Sequence, residues 1–268
     1  MEELHLISSL TDDSPCELAG KTEGQWAEGM LRKLARDNGW MIPDHAHKRG
    51  RQDTPGPHGG YVRGPIPQMQ GRHLTNVGVL DYKSQYPCIM STGQLEWGTA
   101  KDILSPCIRD LMTERDRVGR QTPVGQRYKL MANALFGQLG AEHTIWGGFG
   151  RDLHEQTARI GREIIQADEE LLQMTQEWHV LMVCTDGLFL VGQHDSTQDQ
   201  AWTMIETARA RLRERDAQEV TDSTRQGANR NRGNLEIEGV YADMMLLGLN
   251  KYAGWQMGEK DGEQEWKA

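Results

Sequence analysis

Two strand-like apolar runs, more than a hundred residues apart, each lead into an aspartate. That pairing narrows what the chain can fold into more than any other feature. The run from Val77 to Leu80 reads as a buried strand that stops at Asp81. The runs His179–Val183 and Leu188–Val191 flank Cys184-Thr185-Asp186-Gly187, a hairpin signal with Asp186-Gly187 as its turn dipeptide. A carboxylate at the tip of a buried strand needs something positive against it, and a divalent metal is the simplest candidate. Taken singly, Asp81 reads more readily as a cap on the following turn and Asp186 as an ordinary turn acid.

The 268 residues suffice for one large domain, or for a main domain with a smaller insertion. With 30 basic against 39 acidic residues the formal charge is −9, so no global field favours nucleic acid, and any phosphate contact must come from local basic patches. Cys16, Cys88, Cys107 and Cys184 show no CxxC spacing, which suits reduced thiols inside a cell. No signal peptide or membrane-length apolar run is evident, so the expectation is a soluble, cytoplasmic protein without a membrane partner.

Helical periodicity places Trp26, Met30 and Leu34 on one stripe over residues 23–37, ended by Gly39 and Pro43. Residues 44–73 read as extended loop. Helices are expected over 101–118 and about 126–137, as an antiparallel hairpin broken at Gly119 to Gly125. A further helix over 155–174 would face Ile160, Ile164, Ala167 and Leu171 inward. After the strand hairpin come a helix over about 198–215, an exposed loop over 216–233, and two closing elements, Leu235 to Val240 and Met244 to Leu249. The class is α+β: a small, mostly antiparallel sheet backed by helices, with a helical hairpin inserted after Asp81.

On the second hairpin helix Lys129 and Asn133 share a face, with Phe136 and Gly137 one turn on. Arg115 lies near the tip of the first helix, followed by Arg117 and Arg120. A Lys and an Arg opposite two acids would clamp a polyphosphate and leave metals for the reacting end. A solvated basic face is the plainer account, and it suits Arg117 better than Lys129.

These segments resemble those of the family B DNA polymerases. Asp81-Tyr82-Lys83-Ser84-Gln85-Tyr86-Pro87 resembles the first palm motif, Asp-x-x-Ser-Leu-Tyr-Pro. Lys129-Leu130-Met131-Ala132-Asn133-Ala134-Leu135-Phe136-Gly137 resembles the fingers motif, Lys-x-x-x-Asn-Ser-x-Tyr-Gly, and Thr185-Asp186-Gly187 resembles the Asp-Thr-Asp-Ser hairpin. Arg115 matches the first fingers arginine. Leu235-Glu236-Ile237-Glu238 and Lys251-Tyr252 resemble the segment that grips the primer duplex, and Gly59-Gly60 resembles the Gly-Gly linker.

The resemblance implies a pre-palm segment over 1–74, a palm over 75–98 and 138–268, and fingers over 99–137. It implies template-directed addition of deoxynucleotides to a primer 3′-hydroxyl, with two Mg²⁺ (Mn²⁺ substituting) on Asp81, Asp186 and the Tyr82 carbonyl. Arg115, Lys129 and Asn133 would hold the triphosphate, beside Ser84. Tyr86 would fill the space of a 2′-hydroxyl, the group that separates RNA from DNA. Gly59, Gly60, Lys251 and Tyr252 would meet DNA. Partners implied are primer-template DNA and dNTPs, with a separate polypeptide carrying exonuclease or thumb as a further expectation. Only about eighty residues precede Asp81 and sixteen follow Tyr252, which leads to the expectation of distributive synthesis.

This sequence departs from the family pattern at several points. Cys184 stands where the hairpin's first acid is expected, and Asn250 where the grip lysine is expected. Gly187 and Ala134 replace serines, Phe136 replaces a tyrosine, and Pro57 stands where the linker has one. Loss of the first hairpin acid keeps a second reading open: a nucleic-acid or nucleotide binding remnant without catalysis, or one subunit of a split polymerase. His45-x-His47 with His58 and His73 lacks a completing ligand set for zinc, and the basic run His47-Lys48-Arg49-Gly50-Arg51 reads as template contact or solvated loop alike.

Overall fold

The computed structural model describes residues 2–39, 59–91, 101–141, 147–192, 197–221, 235–257 and 264–267. Its helices are α1 (Glu2–Leu10), α2 (Pro15–Leu18), α3 (Glu23–Asp37), α4 (Gln85–Ser91), α5 (Lys101–Val118), α6 (Pro123–Gly140), α7 (Gly147–Met174) and α8 (Gln198–Thr221). Its strands are β1 (His73–Tyr82), β2 (Trp178–Cys184), β3 (Gly187–Gly192), β4 (Leu235–Gly248), β5 (Lys251–Met257) and β6 (Gln264–Lys267). The chain divides into two compact units, Met1–His58 with Tyr86–Ala158 and Gly59–Gln85 with Arg159–Ala268.

The first unit is helical. Helices α2 and α3 start on capping boxes, Ser14 with Glu17 and Thr22 with Gln25, which satisfy amide donors that a helix start leaves open. The α3 stripe of Trp26, Ala27, Met30, Leu31 and Ala35 is buried and packs on α6. There the Arg127 guanidinium lies 5.8 Å from the Trp26 ring centre, and the indole N–H donates to the Leu18 carbonyl at 3.1 Å. Helical periodicity puts Leu104, Ile108, Leu111 and Met112 on one face of α5; the first three are buried and Met112 is half-buried. Helix α6 begins three residues earlier than predicted, because Thr122 caps it and Pro123 occupies its first turn, where a missing N–H costs nothing. The short link between α5 and α6 makes them an antiparallel pair.

The second unit is built on one six-stranded antiparallel sheet in the order β2-β3-β1-β4-β5-β6. Val77, Val79, Leu181, Phe189, Tyr241, Met244 and Leu246 form the core on one face, beneath Ile66 and Met69 of the preceding segment. Helix α8 packs against β1, β3 and β4. Several expectations shift. Asp81 lies inside β1 rather than past its end. Cys184 pairs with Gly187, so the hairpin turn is Thr185-Asp186, one residue earlier than the Asp-Gly dipeptide predicts. Leu235 to Gly248 is one continuous strand instead of two elements, and residues 216–221 continue α8 instead of opening a loop. On α7 the buried residues include Leu153, Thr157, Ile164, Ile165, Asp168, Glu169 and Leu172, so of the expected stripe only Ile164 is buried, Ile160, Ala167 and Leu171 are half-buried, and two acids lie inward.

Asn250 has φ +52°, in the left-handed region, within the two-residue turn between Gly248 and Lys251. That region costs most L-residues about 1–2 kcal/mol, while Asn and Gly enter it readily. The turn accounts for an asparagine where the resemblance expects a grip lysine. Asn250→Gly is expected to leave stability equal or slightly higher, and Asn250→Val to lower it by about 1–2 kcal/mol in urea unfolding. Equal midpoints for Gly and Val would contradict the strain.

Candidate active site

Asp81 occupies a row that crosses four strands. Antiparallel pairing sets Cys184 opposite Gly187, Gly187 opposite Asp81, and Asp81 opposite Glu236, and directly paired residues project from the same face. Gly187 leaves the middle of that row open. A Cβ built there would lie 3.9 Å from the Asp81 carboxylate and 3.9 Å from the Cys184 Cβ. The Tyr82 N–H donates to the Asp186 carbonyl at 2.8 Å, which ties the end of β1 to the hairpin turn. Asp81 and Asp186 are therefore brought together at one end of the sheet.

A third acid joins them. The β1–β4 register shifts between Val79, opposite Gly239, and Leu80, opposite Ile237, which leaves Glu238 as the extra residue of a bulge. The Gln256 side chain donates to the Glu238 carbonyl at 2.7 Å. A Cβ on Gly239 would come within 1.9 Å of that same amide, so a side chain there would displace Gln256 from the bulge. The sequence placed Glu238 only in the segment that resembles a duplex grip, apart from the two aspartates. The signal available was an acid alternating with apolar residues directly before a glycine.

The electrostatics follow from this crowding. Burial first, and then the neighbouring Asp81, push the Asp186 carboxyl up to about 6, with Glu238 adding to the rise and Lys83 opposing it. Burial with Asp186, Glu238 and Asp81 pushes the Cys184 thiol up to about 11, so it stays protonated and a weak metal ligand at neutral pH. Lys83 donates from Nζ to Asp81 Oδ2 at 2.8 Å. Burial opposes its charge, yet Asp81, Glu238 and Glu236 leave its ammonium raised. Ser84, two residues after Tyr82, has φ +56°, a strained conformation for serine and one that recurs at functional turns.

Tyr252 is half-buried, edge-on to Phe189 at 4.9 Å and to Tyr241 at 6.1 Å. Burial, and then Glu238, raise its hydroxyl. Lys251 is exposed at the start of β5. Gly59 is exposed, with its carbonyl accepting from Arg162 Nη1 at 2.7 Å, and Gly60 is half-buried. Among the described residues no three His, Cys, Asp or Glu side chains are gathered closely enough to hold a metal alone. Paired carboxylates that repel one another do suit Mg²⁺, which takes one or two carboxylates and keeps waters and substrate phosphate as its other ligands.

In the helical unit, Lys129, Asn133, Phe136 and Gly137 lie on the half-exposed to exposed side of α6, away from buried Tyr128, Met131, Ala132 and Leu135. Tyr86 stacks on Phe136 with ring centres 4.1 Å apart, and Phe136 stacks on His154 at 4.2 Å. His154 was not foreseen. Arg115 is half-buried, whereas Arg117 pairs with Glu114 and Arg120 with Asp116, both at 2.6 Å. Those two arginines are ordinary helix-surface ion pairs. His73 is exposed and paired with Asp243 at 2.6 Å. His45, His47, His58, Pro57 and the basic run 47–51 lie outside the described residues. Among those described, no helix is long and apolar enough to cross a membrane.

No family model matches the chain. It is 23% identical over 219 residues to a DNA polymerase of Desulfurococcus sp. (strain Tok), and 22% identical over 217 residues to a DNA polymerase of Thermococcus sp. (strain 9oN-7). Each match covers 68% of this chain, which spans 28% and 27% of the length of those curated relatives. Both similarities are distant and partial, and they point to a relationship with DNA polymerases.

Proposed function

We propose that the chain is the palm and fingers portion of a family B DNA polymerase, with residues 75–98 and 138–268 as palm and 99–137 as fingers. It extends a primer 3′-hydroxyl with deoxynucleotides, directed by a template, and releases pyrophosphate. One observation carries this reading: Asp81 and Asp186 meet at one end of the sheet, where the Asp81 charge helps to raise the buried Asp186 carboxyl. Two Mg²⁺ bound there, or Mn²⁺ in their place, would supply stabilisation of the attacking and leaving oxygens.

The chain's own residues do the rest. Asp81, Asp186 and the Tyr82 carbonyl hold the ions. Arg115 and Lys129 bind the triphosphate with support from Asn133 and Ser84, and a guanidinium suits paired phosphate oxygens better than an ammonium does. Tyr86, held flat by Phe136, lies under the sugar and rejects ribonucleotides. Gly59, Gly60, Lys251 and Tyr252 follow the DNA backbone. The dNTPs and primer-template are its substrates, and a separate polypeptide with exonuclease or thumb is a candidate partner.

A second reading, a nucleic-acid binding remnant, is favoured by the protonated Cys184 thiol where another acid is expected. Primer extension separates the two. Purified chain with primer-template, Mg²⁺ and dNTPs is expected to give template-directed products. Binding of primer-template without extension would favour the remnant. Equal extension by an Asp81→Asn control would expose contaminating activity.

A further inference from the structure

The side chain of Tyr82 is 0% exposed, on the opposite face of β1 from Asp81. Its hydroxyl donates to the carboxylate of Asp168 on α7, which is also 0% exposed. Its N–H is the group bonded to the Asp186 carbonyl, and its strand partner is Leu235. Arg213 of α8 donates to the Leu235 carbonyl at 2.7 Å, and Arg215 donates to the carbonyl of Ala167, the residue before Asp168, at 2.9 Å. Residue 82 is thus anchored at both its main chain and its side-chain tip. Beyond it the chain enters the strained Ser84 turn.

Stability alone does not account for a buried tyrosine–aspartate pair at this point. A carboxylate removed from water carries a desolvation cost, and buried ionic or polar pairs exchanged for apolar residues of similar volume often leave a protein equally or more stable. Phenylalanine would fill the same space. What the hydroxyl adds is a fixed direction and depth for residue 82, hence for the Asp81 carboxylate before it and for its own carbonyl.

We propose that Asp168 and the Tyr82 hydroxyl are positioning residues for the metal-binding end of the sheet. Asp168 acts through Tyr82 and touches neither metal nor substrate. This inference rests on the reading of Asp81 and Asp186 as metal ligands. Outer groups that orient metal ligands typically contribute a factor of about 10–100 in affinity or activity.

The test is Mn²⁺ affinity of the full chain, read from the free-ion electron paramagnetic resonance signal and set beside thermal unfolding. Tyr82→Phe and Asp168→Leu are expected to weaken Mn²⁺ binding roughly tenfold. Asp168→Asn, which keeps an oxygen to accept the hydroxyl, should lose less than Asp168→Leu. The double variant Tyr82→Phe/Asp168→Leu restores an apolar contact, so it should regain stability while still binding Mn²⁺ weakly. That split between recovered folding and unrecovered affinity supports positioning. Wild-type Mn²⁺ affinity in the double variant, or in a folded Tyr82→Phe, would make the pair a core contact only and overturn the inference. If wild type bound Mn²⁺ no better than Asp81→Asn, the metal reading would fall, and this inference with it.

Discussion

Asp186→Asn is expected to cut primer extension roughly a thousandfold or more, and to make the metal-free chain more stable at about pH 8. The two effects share one cause. Two-metal sites contribute several kcal/mol of transition-state stabilisation, and about 1.4 kcal/mol is a factor of ten in rate. Without metal the same carboxylate is a liability, since burial and Asp81 lift it from 3.8 to about 6. The folded chain therefore holds this proton more tightly than the unfolded chain does. Stability from this group is fully present below the ordinary carboxylate value, and it is lost as pH rises through about 6. Each tenfold gain in proton affinity is worth about 1.4 kcal/mol, so the ionised group costs on the order of 3 kcal/mol near neutral pH, and asparagine avoids that cost.

Mg²⁺ should invert the ranking. On the proposed reading it binds the ionised acids, so its stabilising effect on wild type should grow as pH rises through about 6 and fade as pH falls through it. The Asn variant should gain little from Mg²⁺ at any pH. Thermal unfolding across pH, with and without Mg²⁺, reads all four arms. A variant that responded to Mg²⁺ as wild type does would separate Asp186 from the metal.

Much of this site was legible because its parts obey simple periods. The run Val77 to Leu80 and the hairpin runs announce strands by composition, and each carries an acid at its end, so the meeting of Asp81 with Asp186 follows once the strands pair. The α6 face of Lys129 and Asn133 was legible for the same reason, a 3.6-residue repeat with Tyr128, Met131 and Leu135 on the other side. What escaped lies where the period breaks or where partners are distant. Glu238 is aimed by a bulge, and a one-residue insertion flips the expected face of everything beyond it. A second irregularity, between Tyr241 and Asp243, falls where one long strand read as two.

Asp168 escaped for a different reason. An acid on an amphipathic helix is assigned to solvent unless its partner is known, and Tyr82 lies 86 residues away. Lys83 was visible only as a variable motif position, although its ammonium sits against Asp81. Local pattern reveals elements and the acids at their ends. It does not reveal which polar groups the sheet closes over.

Arg63→Ala is expected to destabilise the sheet-bearing unit by about 2 kcal/mol, less than for a fully buried pair because the guanidinium is partly exposed. Arg63 donates from Nε to Glu169 Oε1 at 2.6 Å, and its other nitrogens reach the carbonyls of Val180 at 2.8 Å and Leu181 at 3.3 Å. Its main chain bonds Val183 in both directions, at 2.9 and 3.0 Å, so the segment around Gly59 to Ile66 is fastened along β2 up to the residue before Cys184. Alanine leaves Glu169 buried with, among the described residues, the Tyr61 hydroxyl and the Gln173 amide. Lysine cannot reproduce the fork that serves a carboxylate and two carbonyls at once, so Arg63→Lys should also cost stability, by about 1–2 kcal/mol. Arg63→Met with Glu169→Leu removes both charges together and should recover much of the loss, as apolar replacements of buried pairs do. Urea unfolding of wild type, Arg63→Met, Glu169→Leu and the double variant gives the coupling directly. Additive losses in the double variant would mean that the guanidinium and Glu169 act independently, and that the strap along β2 is held by its main chain alone.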